Sequence, residues 1–366
     1  MAISAAQIEA AHAAFLAQAR PYYGEPYDNV TFGTAAATSR QVRIPNAMLL
    51  AKTFLIVNGS ATISVPATSE VNFSSQGLYA LIANVKESVG LSSSPIDCSG
   101  FFLAQKLMMD YPQYADSANV QVSGTTFPYN NTTGAAVNEN FTFQFVIEAP
   151  NIYSEAGLQG LVLMQNNKVA GNYTVTWAGT SAPVFEAISG TNATITALSA
   201  TVQFASELYP VPTTPAGGAP DLTRYPIIQE QQYDLSTQKQ VINIDPGLEI
   251  MRLTLHFFNA GVYDATDTLN LQSVKWAWNG GAVSQINTVR QVLDFLARKR
   301  YSNSLLAFIG KGTLILDFDR QAPREWFDST GVTDLKLTLN FAGAPAANSY
   351  VNVITESMLD ITKPTA

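Results

Sequence analysis

At 366 residues the chain exceeds the size at which a single core usually stops growing, so two domains are expected. Charged residues make up only 13%, against about 25% in an average globular domain, and low charge with mean hydropathy near zero points to a surface covered largely by partners. A formal net charge of −8 excludes a duplex nucleic-acid binder, which needs clustered Lys and Arg to displace counterions.

The amino terminus lacks a basic segment followed by an apolar one, and no run approaches the ~20 apolar residues of a spanning helix. The expectation is a protein made and folded in a cytoplasm. Ser4 is a plausible N-cap with Gln7 three residues on, and Ile8, Ala11, Phe15 and Leu16 recur at helical spacing, which predicts a helix over about 5–20. Its polar face carries Gln7, Glu9 and Gln18, so it could lie on another surface or pack on its own domain. Tyr22, Tyr23, Pro26 and Tyr27 then form an extended aromatic tether.

Strand patterns occupy residues 41–65, with Ala51–Val57 ending at an Asn58-Gly59 turn signal and Ala61–Val65 resuming after it as a hairpin. Gly77–Val85 reads as another strand, and a helix over Ser99–Met109 follows, with Phe101, Phe102, Leu103, Leu107 and Met108 as its apolar positions. Residues 110–138, with Pro112, Gly124 and Pro128, read as a long surface loop that clamps a neighbour or forms an outward projection. Phe141–Ile147 alternates as a half-buried strand does, and Val169–Trp177 and Ala193–Phe204 continue the theme. Residues 213–220, Thr-Thr-Pro-Ala-Gly-Gly-Ala-Pro, are the most linker-like segment.

Beyond it, Val241–Ile244 and Glu249–Phe258 flank an Asp245-Pro246-Gly247 turn, and Val274–Trp278 precedes Asn279-Gly280-Gly281. A second helix over Asn287–Arg300 follows, its buried stripe read as Val289, Val292, Leu293 and Leu296, with Arg298, Lys299 and Arg300 complementing the helix dipole in the last turn. Strands at Thr313–Phe318, Leu335–Phe341 and Tyr350–Thr355 complete the chain. The same order of elements is written twice. The expected organisation is an amino-terminal helix over 1–22, a first β-sandwich over 23–212, a linker over 213–235 and a second sandwich over 236–366, with one short helix per sandwich.

Catalytic equipment is sparse. The two histidines, His12 and His256, lack a G-x-S-x-G nucleophile elbow, and His/Cys zinc ligands are too few. Gly310-Lys311-Gly312-Thr313 lacks P-loop spacing and precedes a strand, so it reads as a turn. Cys98 reads as a small buried hydrophobe. Asp317 and Asp319, with Arg320 and Arg324 nearby, would suit calcium or a glycosidase-like pair, or a salt-bridged strand end. Trp276 and Trp278 share one strand face, as in sugar-binding platforms or in a buried stripe. No catalytic, cofactor or metal residue is assigned and no enzymatic activity is expected; the competing reading is a carbohydrate-binding or glycan-processing sandwich such as a phage fibre.

Three stretches resemble the major capsid proteins of tectiviruses, tailless icosahedral phages with an internal membrane. They are Arg43-Ile44-Pro45-Asn46-Ala47 leading into Ala51–Val57, Cys98-Ser99-Gly100-Phe101, and Val146-Ile147-Glu148-Ala149-Pro150-Asn151-Ile152-Tyr153-Ser154-Glu155 followed by Leu158–Leu163 and Tyr173–Trp177. The resemblance implies a double jelly roll, all-β, of two eight-stranded sandwiches in tandem, three copies of which form a pseudo-hexagonal capsomer. It implies as partners the chain itself, neighbouring capsomers, an internal membrane, and vertex and minor capsid proteins, in a virion shell made in a host cytoplasm. It also places the amino-terminal helix at the capsomer base, with Ile3, Ile8, Phe15 and Leu16 as its membrane or inner-capsid contacts.

Overall fold

The structure is a computed structural model that describes residues 5–89, 94–111, 120–153, 158–164, 171–213, 218–280, 283–318 and 326–360. The chain forms two compact units, one of residues 1–107 and 115–226, the other of residues 108–114 and 227–366.

Eight principal strands build the first unit: β1 (Asp28–Phe32), β2 (Thr38–Arg43), β3 (Leu49–Val65), β4 (Ile82–Ser88), β5 (Ile96–Cys98), β6 (Val137–Pro150), β7 (Asn172–Trp177) and β8 (Thr194–Tyr209). They pair in the orders β1-β8-β3-β6 and β2-β7-β4-β5. Period-two patterning sets the faces: in β6, Phe141, Phe143, Phe145 and Ile147 are buried while the residues between them are exposed or half-buried. Rings meet across the sandwich, Phe32 of β1 stacking on Trp177 of β7 with centroids 5.1 Å apart.

The second unit repeats the plan with β9 (Arg224–Asp234), β10 (Lys239–Ile244), β11 (Glu249–Asn259), β12 (Leu271–Trp278), β13 (Val283–Val289), β14 (Thr313–Asp317), β15 (Leu335–Phe341) and β16 (Tyr350–Asp360). Its orders are β9-β16-β11-β14 and β10-β15-β12-β13. Each strand therefore takes the place of the one eight before it, and two eight-stranded jelly rolls in tandem are the fold. Its core gathers Leu253, Leu255, Phe257, Trp276, Leu337, Leu339 and Val353. Helices also recur in place: α2 (Gly100–Asp110) lies between β5 and β6, and α3 (Arg290–Arg300) and α4 (Asn303–Ile309) lie between β13 and β14.

Several local expectations are corrected. Asn58-Gly59 is no turn, because β3 runs unbroken through it. Glycine is needed there for close approach: a Cβ would collide with the Phe143 ring and come within 2.7 Å of the Ser199 carbonyl. The segment read as a strand from Gly77 opens as a 3₁₀ turn over Gly77–Leu81. Residues 224–234, assigned to the linker, form β9, where Tyr225, Ile227 and Ile228 are buried. Residues 287–289 end β13 instead of starting the helix, and the second unit carries two helices, the second capped by Ser302 accepting from the Leu305 N–H at 3.2 Å.

The described part of the 110–138 loop folds onto its own domain. Gln121–Ser123 pairs with β6, Tyr129–Asn130 pairs with Val71 and Glu70, and Phe127 packs on Phe73 at 4.6 Å and Phe185 at 5.4 Å. The Asn131 amide ties the end of β3 to this loop by donating to the carbonyls of Val65, Pro66 and Ala135.

Candidate assembly surfaces and buried polar clusters

Helix α1 (Ala5–Gln18) is fastened to the first unit. Phe15, 2% exposed, enters a cluster with Leu49, Ala51, Ile152, Leu158, Leu161 and Tyr209, and Leu16 and Ala19 lie at its margin. Burying a Phe ring is worth about 1.5–3 kcal/mol. A second clasp comes from the segment before β9: the Ala219 N–H donates to the Ala11 carbonyl and the Asp221 N–H to His12 Nδ1, both at 3.0 Å. Gly218 has φ +70° and its Cα lies so close to the helix backbone that a Cβ would strike Ala11 and Phe15. Phe15 is therefore a core residue of its own domain, which corrects the assignment of this side chain to an external contact. Leu16 is half-buried beside it. Ile3 lies outside the described residues, as do Ser4 and the Ile8 side chain.

Residues weighed for chemistry are held in structural roles. Trp276 is fully buried and packs on Phe318 and Phe327, while Trp278 packs on Phe327 at 4.8 Å, so their shared face is the domain core and not a sugar platform. His256 is buried, and desolvation drops its pKa to about 3, which keeps it neutral. Cys98 is buried and forms no disulfide. Asp319, Arg320 and Arg324 lie outside the described residues, and among the described residues no group of three His, Cys, Asp or Glu side chains could hold a metal ion.

Asp317 belongs to a charge cluster centred on Arg252. That guanidinium sits 3.1 Å from Asp110, 3.2 Å from Glu356 and 3.8 Å from Asp317, while Arg300 reaches Asp317 at 2.8 Å. The Tyr301 hydroxyl also donates to Asp317. Burial lowers the Arg252 pKa, but the neighbouring carboxylates of Glu356, Asp110 and Asp317 outweigh it and raise it well above the ordinary value. Asp317 is thus salt-bridged at the end of its strand, through Arg252 and Arg300.

A second buried acid has no such cation among the described residues. Glu87 of β4 is fully buried, and desolvation lifts its pKa to about 7 against the lowering effect of a hydrogen bond from Asn151. The Asn151 side-chain amide donates to Glu87 Oε1 at 2.6 Å, while Oε2 is buried without a hydrogen bond.

The outer surface differs from expectation at α3. Of the residues read as its buried stripe only Leu293 is inside; Val289, Val292 and Leu296 are exposed. The cause is Arg290, which takes an inward position at the helix start, pairs with Asp267 at 3.3 Å and Asp294 at 3.5 Å, and donates to the Lys311 carbonyl. With Arg290 and Leu293 turned inward, the side of the helix that carries Val292 and Leu296 faces out.

No protein-family model matches the chain, and no curated protein matches it in sequence. Solved structures match almost its whole length. A chain of the Sulfolobus Turreted Icosahedral Virus structure aligns with a TM-score of 0.59 and 15% identity over 93% of this chain and 91% of its own. The PBCV-1 virus capsid aligns at 0.54 and 11% over 95% and 97%, and the Faustovirus major capsid protein at 0.55 and 9% over 93% and 89%. The double jelly roll that the resemblance implied is thus the fold that this chain shares with viral capsid proteins.

Proposed function

We propose that this chain is a major capsid protein, a non-enzymatic subunit that builds an icosahedral virion shell from pseudo-hexagonal homotrimers. The observation that carries the reading is the duplicated jelly roll, strand for strand at an offset of eight, aligned over more than nine-tenths of the chain with capsid proteins of several viruses. Low charge is consistent with side walls buried against sister subunits.

The finer assignment, a tectivirus-like shell around an internal membrane with vertex and minor capsid proteins as further partners, rests on the Pro150–Leu163 motif and its neighbours. In that setting Ile3, Ile8 and Leu16 are the side chains proposed to meet the membrane or an adjoining capsomer. The protein would act in the virion after synthesis in the host cytoplasm, without sequence-specific nucleic-acid contacts. The glycan-binding alternative loses its platform with the burial of Trp276. Imaging the purified full-length protein tests the proposal: three-fold particles of hexagonal outline are expected, and uniformly monomeric particles would oppose it.

A further inference from the structure

Nine large apolar side chains are exposed among the described residues, and six of them fall in two places. Val289, Val292, Phe295 and Leu296 lie on or beside α3, with Phe295 60% exposed. Tyr22 and Tyr23, 53% and 64% exposed, are adjacent in the tether after α1. The remaining three, Ile188, Val241 and Val262, are scattered singly, as is ordinary for a soluble surface.

The two clusters are complementary. Val292, Phe295, Leu296 and Lys299 stand at i, i+3, i+4 and i+7, which places them on one face of the helix. Lys299 leans over the Phe295 ring with its Nζ 5.7 Å from the centroid, and Arg298 is exposed beside it. This face is apolar and basic on a chain whose net charge is −8. The tether is aromatic and acidic: Tyr22-Tyr23-Gly24-Glu25-Pro26-Tyr27-Asp28 contains two carboxylates, both exposed, and no base. It is also held in shape, since Tyr22 and Tyr23 pair with Leu208 and Glu207 of β8 and the Tyr27 N–H donates to the Phe204 carbonyl at 2.9 Å. A tether already fixed on a sheet edge loses little conformational freedom on docking.

We propose that the α3 face of one copy receives the Tyr22–Asp28 tether of a second copy, the two tyrosines covering Val292, Phe295 and Leu296 while Glu25 and Asp28 meet Lys299 and Arg298. The contact is heterologous, each copy giving a tether and receiving one, and a three-fold rotation closes such contacts into a ring of three. The inference rests on the homotrimer reading and names the surfaces that would hold the trimer together.

Charge reversal on the full-length protein tests it, because Lys299, Glu25 and Asp28 are exposed and their replacement leaves the cores untouched. Lys299→Glu alone, and Glu25→Lys with Asp28→Lys, should each weaken the trimer on light scattering across dilution, and the three substitutions combined should restore it. Phe295→Ser should raise the dissociation midpoint by about thirtyfold, as loss of an interface anchor does. In wild-type protein mixed from isotopically heavy and light chains before assembly, carbodiimide should join Lys299 of one isotope to Glu25 or Asp28 of the other.

Trimers undiminished by every reversal, weakening that the combined variant fails to rescue, or absence of the mixed-isotope link would each overturn the contact while leaving a trimeric capsomer standing. Loss of binding to phosphatidylglycerol vesicles in Phe295→Ser and Lys299→Glu, with the trimer intact, would overturn it by assigning the face to lipid. A wild-type chain that stays monomeric would defeat both this contact and the capsomer reading.

Discussion

The ring of Phe143 occupies the space into which a side chain at Gly59 would project, and the two residues are direct partners across β3 and β6. An Asn-Gly pair in mid-strand therefore serves packing, where the same dipeptide elsewhere serves a turn. Gly59→Ala should lower the unfolding free energy by about 1–3 kcal/mol through overpacking. Chemical denaturation measures this, and the double variant with Phe143→Leu should recover part of the loss. A Gly59→Ala protein as stable as wild type would show that the strands can part without cost.

Glu87 makes stability depend on pH. Its folded pKa of about 7 exceeds the ordinary 4.5, so the folded state holds the proton more tightly than the unfolded chain. The acid costs nothing while both states are protonated, below about pH 4.5; the penalty grows between pH 4.5 and 7 and is complete above, at roughly 3 kcal/mol. Glu87→Gln should accordingly be more stable than wild type at pH 8, with the advantage disappearing near pH 4.5. Thermal melts across that range decide it, and an advantage that grows on acidification would contradict the assignment.

Arg252 is shared by Asp110, Glu356 and Asp317. Arg252→Ala leaves those carboxylates short of charge in a buried setting and should cost about 3–5 kcal/mol. Equilibrium unfolding provides the measurement; a loss under 1 kcal/mol would mean that water reaches the cluster.

Phe15 should act as the latch of α1. Phe15→Glu is expected to speed hydrogen exchange and proteolysis over residues 5–18, while the main unfolding transition moves much less, because the jelly-roll strands do not depend on the helix for pairing. Unchanged protection of residues 5–18 would show that the Gly218–Asp221 clasp alone suffices.

What could be read from the sequence, and what could not, follows one physical division. Alternation along Phe141–Ile147 and Leu335–Phe341 reports a face buried within the same domain, so the strands and the duplicated plan were legible. The apolar stripe of α3 was equally visible, but periodicity cannot say which side of a helix its own core will take. Arg290, a buried charge whose carboxylate partners lie 23 and 4 residues away, takes the inward side through contacts that pattern alone does not encode. Trp276 and Trp278 share a face as read, yet only the fold places Phe327 against it. Phe15 was misplaced for the same reason: the residues that receive it lie on β3, in the 151–161 segment and at the end of β8, distant in sequence.

The most direct test of the account is the native mass of the full-length protein, measured by light scattering on a sizing column over a wide range of dilution and salt. A stable species of three chain masses is the result predicted for a capsomer built from this double jelly roll. A monomer at every concentration would contradict it.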